Sequence, residues 1–506
     1  MDSLSWEVKS SLESLGKPLR LLVTILLLFI AFKAYRPASP NAPLLNPRKP
    51  YELSDGPAKA GFVANGHGIV ADWFKKNPEK SMRLISDTGE ITVLPPSRAQ
   101  EIRNEKRLSF TAFTYHSMHA YIPGFDGFRE GSGGTNLLQT VLTKDLTKLL
   151  NKITEPLAEE TSLSLEDLLT NDKEFHTMNL QETILKLVAR ISSRVFLGNE
   201  LCRDEAWLRI TREHTVTAFK AADELRMWPK ISRKVIHWFL PGCRELRAQV
   251  LEAQQIITAT LERRRKEKAE LLSQGKEPPK YNDAIEWFEQ TSKGTVPYDP
   301  TAVQLVLSVA AIHTTTDLIC QVLIKLAQNK DIIKPLRTEI ASVLSEEGWS
   351  KTSLFKMKLL DSVIKESQRM KPIQLNVELS DGTLIPKDSS LTVSSHKMWD
   401  PELYANPDQW DGYRFLKMRD DPAKQNSALL VSTSPDFLAF GHGQHACPGR
   451  FFASNEAKIA VLSFIMKYEF ELVGDVPPPI VKHGFNLSGD PSTQMRVRRR
   501  KEEVSP

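Results

Sequence analysis

Hydrophobic residues gather in two long runs of this chain. The first, residues 21–32, is uncharged and lies between Arg20 and Lys33. A bilayer span needs about 20 mostly apolar residues, with about 17 as the lower limit, so the flanking lysines and arginines would have to extend toward the headgroups. We expect a single-pass transmembrane helix within an N-terminal membrane anchor, residues 1–36.

A cleaved secretory signal is the competing interpretation of this run, because its apolar stretch needs only about 7 to 15 residues. No clear small-x-small cleavage site follows, and Pro37, Pro40, Pro43 and Pro47 stiffen the next segment instead. Anchoring is therefore the favoured interpretation, with residues 37–50 as a Pro-rich linker.

The second run, residues 301–329, is apolar on nearly every face and predicts a long buried helix. A polar island interrupts it, with His313 followed by three threonines. A threonine hydroxyl inside a helix can perturb the helical hydrogen bonds and relay protons, and a histidine can exchange protons near neutral pH. The island that contains His313 and Thr314 is therefore a candidate for proton transfer. A buried helix with incidental threonines is the plain alternative.

The region between the runs predicts a mainly α fold with a small β portion. Residues 82–94 alternate between apolar and polar positions, break at 87–89 and alternate again, which is typical of a β-hairpin. Long segments with helical spacing follow at 180–197 and 244–270.

The composition of the chain mainly excludes certain classes of partner and compartment. The chain has 506 residues and a formal net charge of only +5, which does not indicate a nucleic-acid partner. No change in composition divides residues 51–506, so we expect one large domain there. The four cysteines are scattered without a pairing rhythm, which argues against disulfides and for a reducing compartment.

The strongest chemical signal is a glycine-rich loop, residues 440–450, that places Cys447 directly before a helix. Backbone N–H groups at a helix N-terminus stabilise a thiolate, which is the form that binds iron. Phe440 can cover the sulfur, and His445 can donate a hydrogen bond to an acidic edge group. A buried structural cysteine in a turn is the alternative.

This loop resembles, at every position, the haem-binding loop of the cytochrome P-450 family, Phe-Gly-x-Gly-x-His/Arg-x-Cys-x-Gly. The resemblance implies the cytochrome P-450 fold, haem b as the cofactor and Cys447 as the protein ligand of its iron. The Pro-rich linker resembles the hinge after the anchor of microsomal members, which implies an endoplasmic reticulum membrane, contact with lipid and a cytosolic body.

Two further segments match the family pattern. Glu366 and Arg369 lie three apart on one predicted helical face, and Arg414 follows about thirty residues before the cysteine. The resemblance makes these three a buried salt-bridge triad that holds the cysteine loop. The island at His313 resembles the oxygen-binding motif, with Thr314 as the oxygen-site threonine and a histidine in place of the usual acid, as in the fungal ent-kaurene oxidase-like branch.

One segment departs from the family pattern. Only eight residues, 373–380, separate Pro372 from the turn at 381–382, where relatives place a strand, its return and a second strand. Because strands average about 5 to 6 residues, we expect the first strand to be curtailed and the pocket floor altered.

The resemblance implies a monooxygenase that oxidises an apolar terpenoid or polyketide intermediate of fungal secondary metabolism. Its electrons would come from NADPH through a cytochrome reductase. Two alternatives stay open: a non-oxygenating haem-thiolate isomerase or dehydratase, and a degenerate haem protein without catalysis. The retained Thr314 speaks against the first, and the short segment 373–380 favours the second.

Overall fold

The computed structural model describes residue 24 and residues 42–52, 54–133, 135–372, 377–378, 389–474 and 476–502. The expected membrane anchor therefore lies outside the described residues except for Thr24, and the expected linker is described from residue 42 onward.

Helices form most of the described chain. In chain order they are α1 Gly56–Lys76, α2 Ala99–Ile102, α3 Phe110–Ser117, α4 Asp126–Gly131, α5 Leu137–Thr140, α6 Thr147–Leu169, α7 Leu180–Phe196, α8 Gly198–Leu201, α9 Glu205–Arg226, α10 Arg233–Ile236, α11 Pro241–Ser273, α12 Ala284–Ser292, α13 Pro300–Gln328, α14 Ile333–Glu347, α15 Lys351–Lys356, α16 Lys358–Met370, α17 Arg414–Met418 and α18 Arg450–Lys467. Shorter turns of 3₁₀-helix occupy Pro96–Arg98, Lys330–Ile332, His396–Trp399 and Gly443–His445, and Val141–Leu146 is a π-helical turn.

Nine short strands form three small sheets among the described residues. They are β1 Met82–Ser86, β2 Gly89–Leu94, β3 His176–Asn179, β4 Val377–Glu378, β5 Ser390–Val393, β6 Tyr468–Leu472, β7 Ile480–His483, β8 Asn486–Gly489 and β9 Gln494–Arg499. The strand orders are β1-β2-β5-β4, β3-β9-β6 and β7-β8, and all neighbours are antiparallel except β2 and β5. The expected fold class, mainly α with a small β portion, is confirmed.

The expected hairpin at 82–94 is formed by β1 and β2. Ser86 pairs with Gly89 at its end, and Met82 pairs with Val93. Gly89 has φ +132°, a conformation that L side chains rarely adopt, which explains why glycine ends the turn.

Helix α13 is the central helix of the core and corresponds to the second apolar run. Its N-terminus is capped by Asp299, whose carboxylate accepts from the N–H groups of Thr301 and Ala302 at 2.9 and 3.0 Å. Among the described residues it is the one helix long and apolar enough to cross a membrane, and 67% of its most apolar window is buried inside the protein. Such burial is typical of a core helix.

The segment after Pro372 is described only in part. β4, residues Val377–Glu378, pairs antiparallel with β5, where Val377 lies opposite Leu391. We expect the first strand of this segment to be shortened. That expectation falls mainly on residues 373–376 and 379–388, which lie outside the described residues.

Candidate functional site

Cys447 lies in a tight loop just before α18. Its backbone N–H donates to the Phe440 carbonyl at 2.8 Å and closes the loop. Burial raises the pKa of the Cys447 thiol, whereas the N–H groups of Gly449 and Arg450 and the Arg450 guanidinium act to lower it. The half-buried sulfur thus has helix-start donors beside it, the arrangement that stabilises a metal-bound thiolate.

Two glycines shape this loop. Gly441 and Gly443 both have φ +68°, where side chains are strained. A Cβ at residue 443 would lie 2.1 Å from the Arg103 carbonyl oxygen, and that oxygen also accepts from the N–H of Gln444 at 2.8 Å. Gly443 is therefore required by close backbone packing against the segment after α2.

Phe440 and His445 are both half-buried beside the cysteine. Phe440 packs against the main hydrophobic core. Nε2 of His445 lies 3.0 Å from the side-chain amide nitrogen of Gln444, and burial lowers the pKa of the His445 ring. A neutral imidazole still carries one N–H donor, which is what a hydrogen bond to an acidic edge group requires.

Glu366 is the shared acceptor of two arginines. Arg369 donates from Nε and Nη2 to its carboxylate oxygens at 2.8 and 2.9 Å, and Arg414 donates from Nε to Oε1 at 3.0 Å. The side chains of Glu366 and Arg369 are 0% exposed and that of Arg414 is 10% exposed. Further guanidinium N–H groups donate to the backbone carbonyls of Met398, Ala405, Pro407 and Gln409. The structure brings the three expected residues together.

The triad is connected to the cysteine loop through aromatic side chains. Phe415, the residue after the second arginine, packs edge-on against Phe437 with ring centroids 5.8 Å apart. The ammonium of Lys365, the residue before the shared carboxylate, lies 3.9 Å from the centre of the Phe437 ring. Because Phe437 precedes the loop by three residues, these contacts fix the chain where it enters the loop.

Helix α13 is mostly buried and has an open face in its middle, flanked by half-buried residues at 309, 311 and 313. Val306, Ala310, Thr314 and Asp317 share that face through their spacing of three and four residues. Ala310 is exposed and the other three are half-buried. The Thr314 hydroxyl donates to the Ala310 carbonyl at 2.8 Å, so its oxygen can still accept a hydrogen bond. Small side chains leave room beside this hydroxyl.

His313 reaches from the same region to another helix. Its Nε2 lies 3.1 Å from the Arg212 carbonyl oxygen of α9. Because a carbonyl only accepts, Nε2 carries the proton, and burial lowers the pKa of the ring. Thr314 follows in the chain and points about 100° away around the helix. Thr314 therefore lies on the open face, and His313 lies to one side of it.

The donor set at Cys447 fits a haem iron. Within the part of the chain that the structure describes, no group of three or more His, Cys, Asp or Glu side chains is placed to hold a metal ion. Cys447 would hold the iron of a haem through its thiolate, and the porphyrin would supply nitrogen ligands to the same iron. The half-buried cysteine loop and the open face of α13 leave both elements accessible to a flat cofactor.

Sequence reasoning missed Glu456, a fully buried residue of α18. Its Oε1 accepts from the Ser192 hydroxyl at 2.5 Å. Burial raises the pKa of the Glu456 carboxyl to about 8, so it is mostly protonated at neutral pH. Ser192 lies 264 residues earlier in the chain, so no local pattern could have indicated the pair.

Comparison with known proteins reveals close relatives. The cytochrome P-450 family model matches residues 93–495. The chain is 47% identical over 493 residues to cytochrome P-450 monooxygenase hepE of Aspergillus oryzae. This alignment covers 95% of this chain and 89% of that protein. It is 45% identical over 478 residues to cytochrome P-450 monooxygenase TRI1 of Fusarium sporotrichioides, with 92% and 87% covered. It is 40% identical over 468 residues to dihydromonacolin L monooxygenase mokC of Monascus pilosus, with 91% and 89% covered.

A solved structure shares the fold. The crystal structure of the cytochrome P-450DA heme domain aligns with a TM-score of 0.65 over 92% of this chain and 99% of that chain, at 15% sequence identity. Together with the family match, these likenesses show that the chain belongs to the cytochrome P-450 family and is a monooxygenase that carries haem b and receives electrons from NADPH through a reductase.

Proposed function

We propose that the enzyme inserts one atom of dioxygen into a C–H bond of an apolar terpenoid or polyketide intermediate of fungal secondary metabolism. The main support is the open face of α13, where Val306 and Ala310 precede the Thr314 hydroxyl on the same side of the helix. A relative with 40% identity is named for a small organic substrate, dihydromonacolin L. Haem supplies the oxygen chemistry when bound, and the chain supplies position, exclusion of water and protons.

The residues around the cofactor have distinct proposed roles. Cys447 is the iron ligand, and Phe440 excludes water from its sulfur. His445 donates to an acidic group at the cofactor edge. Glu366, Arg369 and Arg414 act at a distance, because their network fixes the segment that leads into the cysteine loop.

Proton delivery is assigned to Thr314, with His313 in a secondary part. The Thr314 oxygen can accept a hydrogen bond from a bound water or substrate while its own hydroxyl donates to the Ala310 carbonyl. His313 uses Nε2 to hold α9, which leaves Nδ1 as its acceptor. Thr314 lies on the open face, and His313 lies beside it.

The proposed domain arrangement is an anchor at residues 1–36, a linker at 37–50 and a catalytic body at 51–506 that faces the cytosol from the endoplasmic reticulum membrane. An exposed apolar patch on the body supports contact with lipid. Its side chains are 42% to 90% exposed and belong to Met227, Trp228, Ile231, Val235, Trp238 and Phe239, hereafter the 227–239 patch.

Charge in the same segment also suits a membrane surface. Residues 225–244 contain five arginines and lysines and no acidic residue. Aromatic side chains interleaved with cations are typical of segments that lie in the interface of an anionic bilayer. Patches of exposed apolar residues of this kind mark interaction sites.

The decisive experiment measures the cofactor and then the reaction. The purified full-length protein is expected to give a thiolate-type band in the reduced carbon monoxide difference spectrum. With reductase and NADPH it is expected to oxidise the precursor that accumulates when its gene is deleted in the host. Turnover without NADPH would indicate an isomerase or dehydratase instead. An intact band with substrate bound and no oxidised product would indicate a non-catalytic haem protein.

A further inference from the structure

A single carboxylate on the open face of α13 joins three elements of the fold. Lys371, just after α16, donates from Nζ to Oδ2 of Asp317. The backbone N–H of Gly489, at the end of β8, donates to the other oxygen, Oδ1, at 3.2 Å. Asp317 therefore connects α13, the end of α16 and the β7–β8 hairpin.

Because the ion pair is buried, breaking it would leave a charge without a partner or water. The side chain of Lys371 is 1% exposed and that of Asp317 is 20% exposed. A buried ammonium without a partner is strongly unfavourable. Since α16 also carries the buried Arg369 of the triad two residues earlier, Lys371 is held on a rigid support.

The β7–β8 hairpin is fixed at its other end as well. At its tip, the N–H of Gly484 donates to the Val63 carbonyl of α1 at 2.7 Å, and its carbonyl accepts from the N–H of His67 at 3.1 Å. Next to it, Phe485 packs edge-on against Phe62 at 4.8 Å. The hairpin thus spans from α1 to α13, and Asp317 sets the position of its base.

The ion pair lies directly beside the reaction site. Asp317 follows Thr314 by three residues, which places it on the same side of α13 and about 4.5 Å farther along the axis. The open face ends there, because Cys320 and Gln321, the next residues on the same side of the helix, are buried. The base of the hairpin therefore stands at the end of the face that carries the Thr314 hydroxyl.

We propose that the Asp317–Lys371 ion pair is a positioning device that holds the β7–β8 hairpin as one wall of the substrate chamber and so sets the size of ligand admitted. This inference rests on the proposed function of the open face. Asp317 and Lys371 act through the hairpin and are positioning residues.

The test uses three variants of the haem-loaded full chain: Asp317→Asn, Lys371→Met and the double variant. Hydrogen exchange of peptides covering 480–489 is expected to speed up about tenfold in each single variant, because a hydrogen-bonded charged pair is lost. The double variant is expected to show no larger effect than either single one, since both substitutions break the same contact.

Ligand size provides the second readout. Binding of 4-phenylimidazole, followed by its Soret shift, is expected to change in Kd by about fivefold or more in the single variants. Binding of imidazole, which lacks the phenyl group, is expected to stay as in the parent. The matched control is Glu182→Gln, which neutralises an exposed ion pair with Lys186 on α7.

Parent-like exchange at 480–489, or additive effects in the double variant, would overturn the proposal. So would equal changes in the binding of both imidazoles. Should one single variant fail to fold, hydrogen exchange and ligand binding in the other single variant and the double variant still test the proposal. If the parent protein gave no thiolate-type band, the proposed function would fail, while the exchange measurement would still report on the hairpin.

Discussion

Arg414 donates from Nε to Oε1 of Glu366 at 3.0 Å, although the two residues lie 48 positions apart in the chain. This bond joins α17 to α16 in a buried environment, where Glu366 is 0% exposed. Removing one partner of such a pair leaves a buried charge uncompensated, which is costlier than losing an exposed ion pair.

Arg414→Gln is therefore expected to destabilise the protein by about 3–5 kcal/mol and to lower the amount of haem retained, because the chain leading into the cysteine loop loosens. The measurement is the ratio of haem to protein absorbance together with the unfolding temperature. Lys417→Gln is the control, since its ion pair with Asp411 is solvent-exposed at 3.2 Å. Equal behaviour of the two variants would contradict the proposed role of the triad.

Cys447→Ser is expected to abolish the thiolate-type band in the reduced carbon monoxide difference spectrum. A serine hydroxyl does not ionise to a comparable ligand, so the electronic push on the iron is lost. Cys243→Ser serves as the control, because that cysteine is buried and burial raises the pKa of its thiol to about 11. An unchanged band in Cys447→Ser would remove the basis for the site.

Thr314→Ala is expected to leave the helix intact, since its hydroxyl bonds only to carbonyls of its own helix among the described contacts. Product formation is expected to fall by about 100-fold, as for the loss of a positioned proton-relay group, while NADPH oxidation continues and releases hydrogen peroxide. Thr316→Val is the comparison, because the buried Thr316 hydroxyl also bonds within the helix, to the Ile312 carbonyl. A similar loss in both variants would point to a helix effect.

The contribution of Glu456 to the stability of the protein is expected to fall as the pH rises from about 4.5 toward 8. Burial raises the pKa of this carboxyl to about 8 in the folded state, so the folded state holds a proton that the unfolded state releases near its ordinary value of 4.5. Rising pH then favours the unfolded state across that window.

Glu456→Gln is expected to flatten this dependence, because an amide keeps the hydrogen bond with Ser192 and does not titrate. Unfolding temperatures at pH 6 and pH 8 measure the difference, with the partly exposed Glu471→Gln as control. The same slope in the parent and in Glu456→Gln would refute the assignment.

The 227–239 patch is expected to enter the interface of a lipid vesicle. In the full-length protein, Ile231→Ser combined with Phe239→Ser should reduce the quenching of tryptophan fluorescence by lipids with brominated acyl chains, because Trp228 and Trp238 lie in the same patch. Phe355→Ser removes a side chain that is 61% exposed elsewhere and should have no effect. Unchanged quenching in the double variant would exclude the patch from lipid contact.

Local signals in the sequence predicted several elements closely. The segment expected to be helical at 180–197 is α7, Leu180–Phe196, because apolar residues recur at helical spacing and Asn179 caps its start by accepting from the N–H of Glu182 at 2.9 Å. The expected helix at 244–270 starts earlier and ends later, at Pro241–Ser273. Proline at the first turn explains the earlier start, since it needs no N–H partner there.

The sequence by itself determined the cysteine loop, the β1–β2 hairpin and the identity of the triad. The loop and the hairpin depend on residues that are neighbours in the chain, and the triad belongs to a motif with fixed spacing. Only the tertiary structure decided that His313 holds Arg212 of α9 and that Glu456 meets Ser192. It also decided that Asp317 joins Lys371 to Gly489. These contacts depend on how distant helices pack, and the burial that gives them their energy does not exist in the unfolded chain.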